Sequence, residues 1–449
     1  MEIKTWLSYC KSSAGKFYSW LAVFLALVFL IILIDKFGVI WLFLLIFSIF
    51  FLIYTREFKK ILVFVVLGII CCVSYWMLIP KISNLEVSFE SKIIDKTNYG
   101  SFVKYKADKI FLPWKNIEIG TKVRVTGILE LAKNSKPDFD LITYLKARSV
   151  FLIINKPKIT FLEKSHDIFF GLRQLFTTNN YHSRMLVPMI FLGETPVFAN
   201  DLRKWLILLG VYQIFVISGF HINLFKQVFY AISKALRIKK YIYRPIFFAF
   251  LLFQLFLFNF AISFLRGFVF WTLNQINETF LNKKLNKIDT LSISGILILL
   301  SNVLVFYSLG FILSFTISFI IVIINQVRFP KKWHKFIVNF LFVNLFSGLF
   351  SAFYNSNYNM MSPLNTLVFT AFFTLFYIIM FIFIFNPTII EWISDLFVNS
   401  VGFITEIQFL VFDFKIQQYS LIISCIISLI CFLFMEATFS LSRKRFSPS

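Results

Sequence analysis

Apolar runs long enough to cross a bilayer alternate along this chain with short polar breaks, and one stretch follows a different period. Runs over 18–34, 38–54 and 61–80 predict three membrane helices, each crossing taking ~20 apolar residues. From 82 to 164 the period drops to two. LEVSFESKII, SFVKYKADKIFL, TKVRVTGILELA and SVFLIINKPKITFL read as strands, with turns at Asn98–Gly100, Trp114–Asn116 and Asn134–Pro137. Five short strands and the glycine-led Ile119-Gly120-Thr121-Lys122 predict a small closed β-barrel of OB type. Next, HDIFFGLRQLF is amphipathic and is expected at the membrane interface. Apolar runs then return over 184–198, 205–232, 243–276, 290–308, 310–327, 335–352, 364–386 and 417–438. Between the last two, Glu391, Asp395, Glu406, Asp413 and Lys415 recur at helical spacing, which predicts an interfacial or channel-facing element over 388–415. The expected fold class is a polytopic α-helical integral membrane protein with an inserted extracytoplasmic small β-barrel (OB-like) domain. Its parts are membrane helices over 1–81, the barrel over 82–164 and a membrane domain over 165–449.

Composition supports the membrane class. The 449 residues are 59% hydrophobic and only 15% charged, against about a quarter in a soluble domain. Mean hydropathy is +0.80. Net charge is +23, which admits nucleic acid, anionic lipid or the positive-inside bias, so position has to choose. Lys4, Lys11 and Lys16 precede the first run, and Arg56, Lys59 and Lys60 join the second to the third. Both segments are therefore expected in the cytoplasm, which puts the barrel on the outer side of the membrane. The basic Ser442-Arg443-Lys444-Arg445 places the C-terminus inside, with the N-terminus. No cleavable signal is expected, because a second apolar run follows the first with no small-residue cleavage site between them.

The barrel has an excess of lysine and arginine. Lys104, Lys106, Lys122 and Arg124 are its candidate nucleic-acid-binding cations, with Phe102, Tyr105, Phe111, Trp114 and Tyr144 as candidate stacking faces. The plainer reading of such alternating aromatics is barrel core. Cys10, Cys71, Cys72, Cys425 and Cys431 lie outside the barrel without metal-ligand spacing and read as small buried residues.

Catalytic signatures are missing from the sequence. Gly15-Lys16 lacks the rest of a phosphate-binding loop, and His166, His182, His221 and His334 are scattered. The chain is expected to be no enzyme and to need no metal or cofactor. Polar sites in apolar surroundings remain, and these are tolerated at depth only against protein or a wet path. The first is FVISGFHINLF at 215–225, with Ser218, Gly219 and His221. A packed helix contact is the plainer reading of Gly219 alone. The second is Arg266, inside an apolar stretch over 243–276 that is too long for one span. That stretch is expected to break at Ser263–Gly267 or to fold as two shorter elements. The third is Gly310, Phe311 and Ser314 of GFILSF, behind an expected break at Tyr307–Gly310. The fourth is SPLNTL, with Pro363 and Asn365.

In this order the four sites resemble the ComEC family of competence proteins. Gln213 to Ile222 resembles the family's HLLAISGLHIGLL-like segment, with glutamine for the first histidine. Leu265-Arg266-Gly267 is similar to LRAxxM, Gly310 to Phe315 to GFQLSF, and Ser362 to Leu367 to SPLANLL. Upstream, Lys136 to Leu145 resembles NPGxFDYxxYL and Met189 to Glu194 resembles LLLGE. The chain departs from the pattern at Gln213 and Ile312, and its barrel has no cysteine for a family disulfide. The resemblance implies a channel that takes single-stranded DNA inward, the barrel receiving it outside. Ser218, Gly219, His221, Arg266, Gly310, Phe311, Ser314, Pro363 and Asn365 would line or hold the path. It also implies the lipid bilayer and a separate DNA receptor, nuclease and cytoplasmic motor as partners. Longer members carry a metallo-β-lactamase-like domain, and since this chain ends at Ser449 that activity is expected to be absent or separate. The alternatives are a transporter of a small solute, lipid or envelope precursor, and a scaffold of an envelope complex.

Overall fold

A computed structural model describes residues 19–80, 85–97, 99–114, 117, 119–134, 140–164, 180–193, 196, 199–212, 219–326, 331–355, 357–383, 385–408 and 411–413. In chain order the helices and strands begin with α1 (Ser19–Asp35), α2 (Val39–Tyr54) and α3 (Phe58–Leu78). A barrel follows: β1 (Leu85–Lys96), β2 (Ser101–Tyr105), β3 (Asp108–Leu112), β4 (Lys122–Leu131), α4 (Leu141–Lys146) and β5 (Leu152–Glu163). Then come α5 (Tyr181–Phe191), α6 (Asn200–Leu208), α7 (Gly219–Ala235), α8 (Lys240–Leu257), α9 (Ile262–Thr279) and α10 (Lys287–Ser301). The last described elements are α11 (Leu309–Gln326), α12 (Lys332–Asn355), β6 (Asn357–Asn359), α13 (Ser362–Ile382), α14 (Pro387–Glu406) and β7 (Val411–Asp413). The chain divides into two compact units, Met1–Phe170 with Val269–Ile312, and Gly171–Phe268 with Leu313–Ser449.

In the first unit α1 is the central helix, with Val23, Ala26, Leu27 and Ile31 fully buried. Helix α10 comes close because Gly295 has no side chain; a Cβ there would lie 2.5 Å from the Phe24 ring. Helices α1 and α3 run parallel. Lys60 at the start of α3 donates to the Ser19 hydroxyl at the start of α1, and Tyr75 near the end of α3 donates to Asp35 at the end of α1, at 2.8 Å. The outer faces of α2 and α3 stay apolar and exposed, Phe43, Ile46 and Phe50 on one and Leu62, Ile69 and Trp76 on the other. An apolar surface of that extent needs a non-aqueous neighbour. Among the described residues, α3 and α13, each 21 residues long, are long and apolar enough to cross a membrane. Helices α1 and α2 are apolar but shorter.

The barrel closes in the order β1-β2-β3-β5-β4, with β4 pairing back onto β1. Every pairing is antiparallel except β3 with β5. Alternation buries Val103, Ile110, Val123, Val125 and Ile154 inside. Gly127 sits where β4 shifts register against β5, and a Cβ there would meet Ile154 Cγ2 at 2.5 Å. Gly120, at φ 87, donates to the Ile93 carbonyl and closes the expected glycine-led corner. Phe102 and Phe111 follow the plainer reading of the aromatics: both are buried, packing with Leu145 of α4 and Val150. They are core because their strands turn them toward α4, so they offer no face to a base.

In the second unit the run over 243–276 folds as two helices. The break falls at Phe258–Ala261, where Asn259 and Phe260 adopt φ of 46 and 55, and Ser263–Gly267 lies inside α9. Helix α14 buries Ile390, Ile393, Phe397 and Val401 and exposes Trp392 and Phe403, an amphipathic pattern. The expected run over 417–438 and the amphipathic HDIFFGLRQLF lie outside the described residues.

Candidate functional site

Two glycines bring α7 and α9 into backbone contact. A Cβ on Gly267 would lie 3.3 Å from Gly219 Cα and 2.6 Å from Ile222 Cδ1. Gly219 thus has the packing role of the plainer reading. This crossing also leaves room for an arginine: the Arg266 Nη2 lies 2.9 Å from where a Gly219 Cβ would be. Arg266 is 8% exposed. Its Nε donates to the Ser314 hydroxyl at 2.6 Å and its Nη1 to the Ser318 hydroxyl at 2.5 Å, both one turn apart on α11. The Phe315 ring centroid is 5.8 Å from the guanidinium carbon. Among the described residues no carboxylate pairs with it and Nη2 has no hydrogen-bond acceptor. Burying a charge among neutral hydroxyls alone is costly, because they replace only part of its lost hydration. Gly219, Arg266 and Ser314 are thereby brought together. Ser318, one turn beyond the GFILSF segment, was missed, and its spacing from Ser314 was the available signal.

His221 is fully buried two residues into α7, its ring set edge-on to Phe373 and Tyr377 at 6.0 and 5.8 Å. Ser218 lies outside the described residues. Gly310 and Phe311 begin α11 within the first unit, where Phe311 packs against Phe24, ring centroids 6.3 Å apart. Ser308 starts that helix by accepting the Phe311 N–H at 3.0 Å, so the expected break before Gly310 is a capped helix start.

Pro363 stands in the first turn of α13, where a missing N–H costs nothing. Asn365 is buried in a clasp. Its amide donates to the Leu209 carbonyl and to Gln408 Oε1, each at 3.0 Å. Asn359 donates to the Leu208 carbonyl and to the same Gln408 oxygen, each at 2.8 Å. Ser362 donates to the Gly210 carbonyl at 3.3 Å. Three successive carbonyls left open at the end of α6 are thus satisfied by side chains. Asn359 and Gln408 were not singled out in the sequence. Their partners lie 151 and 43 residues away, beyond any local pattern.

A family model for competence proteins matches residues 190–444, more than half of the chain and a range that holds both the arginine site and the clasp. The chain belongs to the competence protein family. That is in line with the ComEC resemblance. No curated protein and no solved structure matches it. Membership associates the chain with DNA uptake, in a family of transport rather than catalytic type, and its apolar helices agree with a membrane protein.

The barrel of this competence protein precedes the matched range, and its candidate cations differ among themselves. Lys122 and Arg124 both pair with Glu90 across β1 and β4, Lys122 Nζ at 3.4 Å and Arg124 Nη2 at 2.6 Å. The Arg124 hydrogen bond holds the Glu90 carboxyl below its ordinary range. Lys104 and Lys106, at the β2–β3 hairpin, are exposed and have no ion pair among the described residues. Lys109 is structural. It lies 3.4 Å from Asp95 and 4.6 Å from the Phe102 centroid, and burial pulls its ammonium below the ordinary value against the opposing pull of Asp95. Of the aromatics, Tyr105 packs on Phe89, Tyr144 lies against Tyr99 and the Arg148 guanidinium, and Trp114 is 44% exposed.

One further cluster was not foreseen. His182 Nδ1 lies 3.3 Å from both Glu391 and Asp395, at the start of α5, and Glu391 accepts the N–H groups of His182 and Ser183 at 2.9 and 2.8 Å. With Tyr181 and Trp392 they line an open cleft of ≈ 530 Å³.

Proposed function

We propose that this competence protein is a membrane conduit that carries single-stranded DNA inward across the cytoplasmic membrane, with Arg266 on or beside the path. The observation that carries the reading is Arg266 itself: a buried guanidinium whose hydrogen bonds, among the described residues, go to two serine hydroxyls and to no carboxylate. Such a charge has donors left for an anion, and a guanidinium matches phosphate geometry. A phosphodiester strand supplies one such anion per nucleotide. Serine hydroxyls orient the guanidinium without neutralising it, which suits a contact that must release each phosphate in turn.

The barrel is read as an OB-type receiver outside the membrane. Support comes from its strand order, and from the ends of the helices beneath it. Asp35, Tyr75 and Lys146 of the barrel helix meet at one end of α1 and α3, while Arg56, Lys59 and Lys60 gather at the other. Basic residues favour the cytoplasmic side, so the barrel end faces out. His221 and the clasp around Asn365 act as framework for the path, each tied to protein groups. Separate receptor, nuclease and motor proteins complete uptake on this reading.

The test is uptake of end-labelled DNA by cells carrying the intact gene, a deletion or Arg266→Ala, read as label protected from external nuclease. Loss of protected label in both variants, with surface-bound label retained, is the expected result. Undiminished protected label in the deletion strain overturns DNA import and moves a small-solute transporter to first place.

A further inference from the structure

In the first unit a carboxylate is closed off completely. Asp35, at the end of α1, has a side chain only 1% exposed. Lys146 Nζ reaches its two oxygens at 2.7 and 2.9 Å, Tyr75 donates to it at 2.8 Å, and the Tyr307 hydroxyl donates as well. These four bonds match the four lone-pair sites of a carboxylate. The donors come from separate parts of the chain: Tyr75 from α3, Lys146 from the barrel helix α4, and Tyr307 from the turn before α11. The Lys146 ammonium also sits 5.8 Å from the Tyr307 ring centroid. A second tie lies three residues on, where the Ser149 hydroxyl donates to Asn302 Oδ1 at 2.6 Å and Asn302 Nδ2 donates to the Ala147 carbonyl at 3.2 Å. Ser149 holds a φ of 56 to reach it.

A buried ion pair is a poor stabiliser compared with apolar side chains of the same volume, and its best attested use is to fix a register. We infer that Asp35 is a positioning residue: through Lys146 it fixes the pose of the barrel on α1, α3 and the 302–307 turn, and DNA passage requires that pose. The inference rests on the conduit reading. An apolar contact would hold the barrel equally well but would let it slide or rotate, because dispersion has no direction. Four directed bonds to one carboxylate leave a single arrangement. The barrel is then a fixed mouthpiece rather than a tethered collector, and what it receives is delivered at one place.

The experiment uses the full chain in cells, with its own cysteines replaced and with Ser149→Cys and Asn302→Cys introduced for joining by a short bis-methanethiosulfonate, each thiol displacing one sulfinate. Asp35→Asn is compared with the paired apolar replacement Asp35→Leu with Lys146→Met, which keeps the interface filled if the single change fails to accumulate. The expected result is normal membrane level and surface-bound label, nuclease-protected label reduced about tenfold, within the range of a typical coupling free energy, and a lower yield of the 149–302 cross-link. Joining 149 to 302 is expected to restore uptake in the variant. Unchanged uptake in both variants overturns the inference, and so does lost uptake with normal cross-link yield and no restoration. If the intact chain itself gives no protected label, the conduit reading fails, while the cross-link yield still reports on the pose.

Discussion

Asp35 and Arg266 are both charged side chains withdrawn from water, yet their surroundings are opposite. Asp35 has an ammonium and two phenol hydroxyls on it, which fill its acceptor sites. Arg266 has two serine hydroxyls and, among the described residues, no opposite charge. Complete pairing makes a charge a fastening, since any movement of its partners exposes an uncompensated ion. Incomplete pairing leaves attraction for whatever anion can enter. The contrast separates a part of this protein that should stay still from a part that should engage and release.

The sharpest way to break the contrast is to give Arg266 the counter-ion it lacks. Ser318→Asp should pair the guanidinium in place and reduce protected-label uptake by on the order of 100-fold, the weight of about 3 kcal/mol for bonds to a charged group. Arg266→Ala should do the same, whereas Arg266→Lys should retain part of the activity, because a lysine keeps charge but not the fork that reaches both serines. If Ser318→Asp imports DNA normally, the incomplete pairing has no role.

A smaller effect is expected where the framework of the second unit depends on a glycine. Gly210 has a φ of 71, and a Cβ there would lie 2.3 Å from the Ser362 hydroxyl oxygen. Gly210→Val should cost ~1–3 kcal/mol through strain and overpacking, read as a lower thermal midpoint of the detergent-purified protein. An unchanged midpoint would mean that the clasp around Asn365 yields, and that the region is softer than the one around Asp35.

The barrel offers the comparison in miniature, since Glu90 pairs with both Lys122 and Arg124 while Lys104 and Lys106 have no ion pair among the described residues. Removing Lys104 and Lys106 should make single-strand binding less sensitive to salt, the slope falling by roughly 0.7 for each phosphate no longer neutralised. Glu90→Gln should strengthen binding at low salt. The reverse ranking would assign the DNA face to β4.

The smallest effect concerns Asp140, the N-cap of α4. Burial acts to raise its carboxyl, but hydrogen bonds from Thr143 and Asn134 outweigh this and hold it below the ordinary range. A lowered folded-state value means its stabilisation is present above the ordinary carboxylate range and lost as acid titrates through the lowered value. Asp140→Ala should therefore cost ~1 kcal/mol at neutral pH and converge with the parent in strong acid. A gap that persists in acid would assign the loss to something other than the charged cap.

Legibility from sequence followed the range of the interactions. The alternation over 85–163 is a local signal, and the strands lie where it puts them, though it could not tell that Phe102 and Phe111 face α4. The long run over 243–276 announced a break by its length. The place was hidden, because Asn259 alone hints at the left-handed turn and the neighbouring Phe260 hints against it. Arg266 and Asn365 stood out as polar residues in apolar runs. Only the fold separates them, into an arginine with no carboxylate partner among the described residues and an asparagine whose amide donates twice within a clasp. Asp35 was passed over because it looks like an ordinary helix end, and its ammonium partner is 111 residues away.

In the clasp on α6, Gln408 Oε1 accepts while Asn359 and Asn365 both donate, so the three amides have a sense of direction. Reversing any one of them sets like dipoles face to face. Descendants of this chain that alter one member by a single step pass through a broken arrangement, so lasting changes at 359, 365 and 408 are expected to arrive together, as one inherited unit.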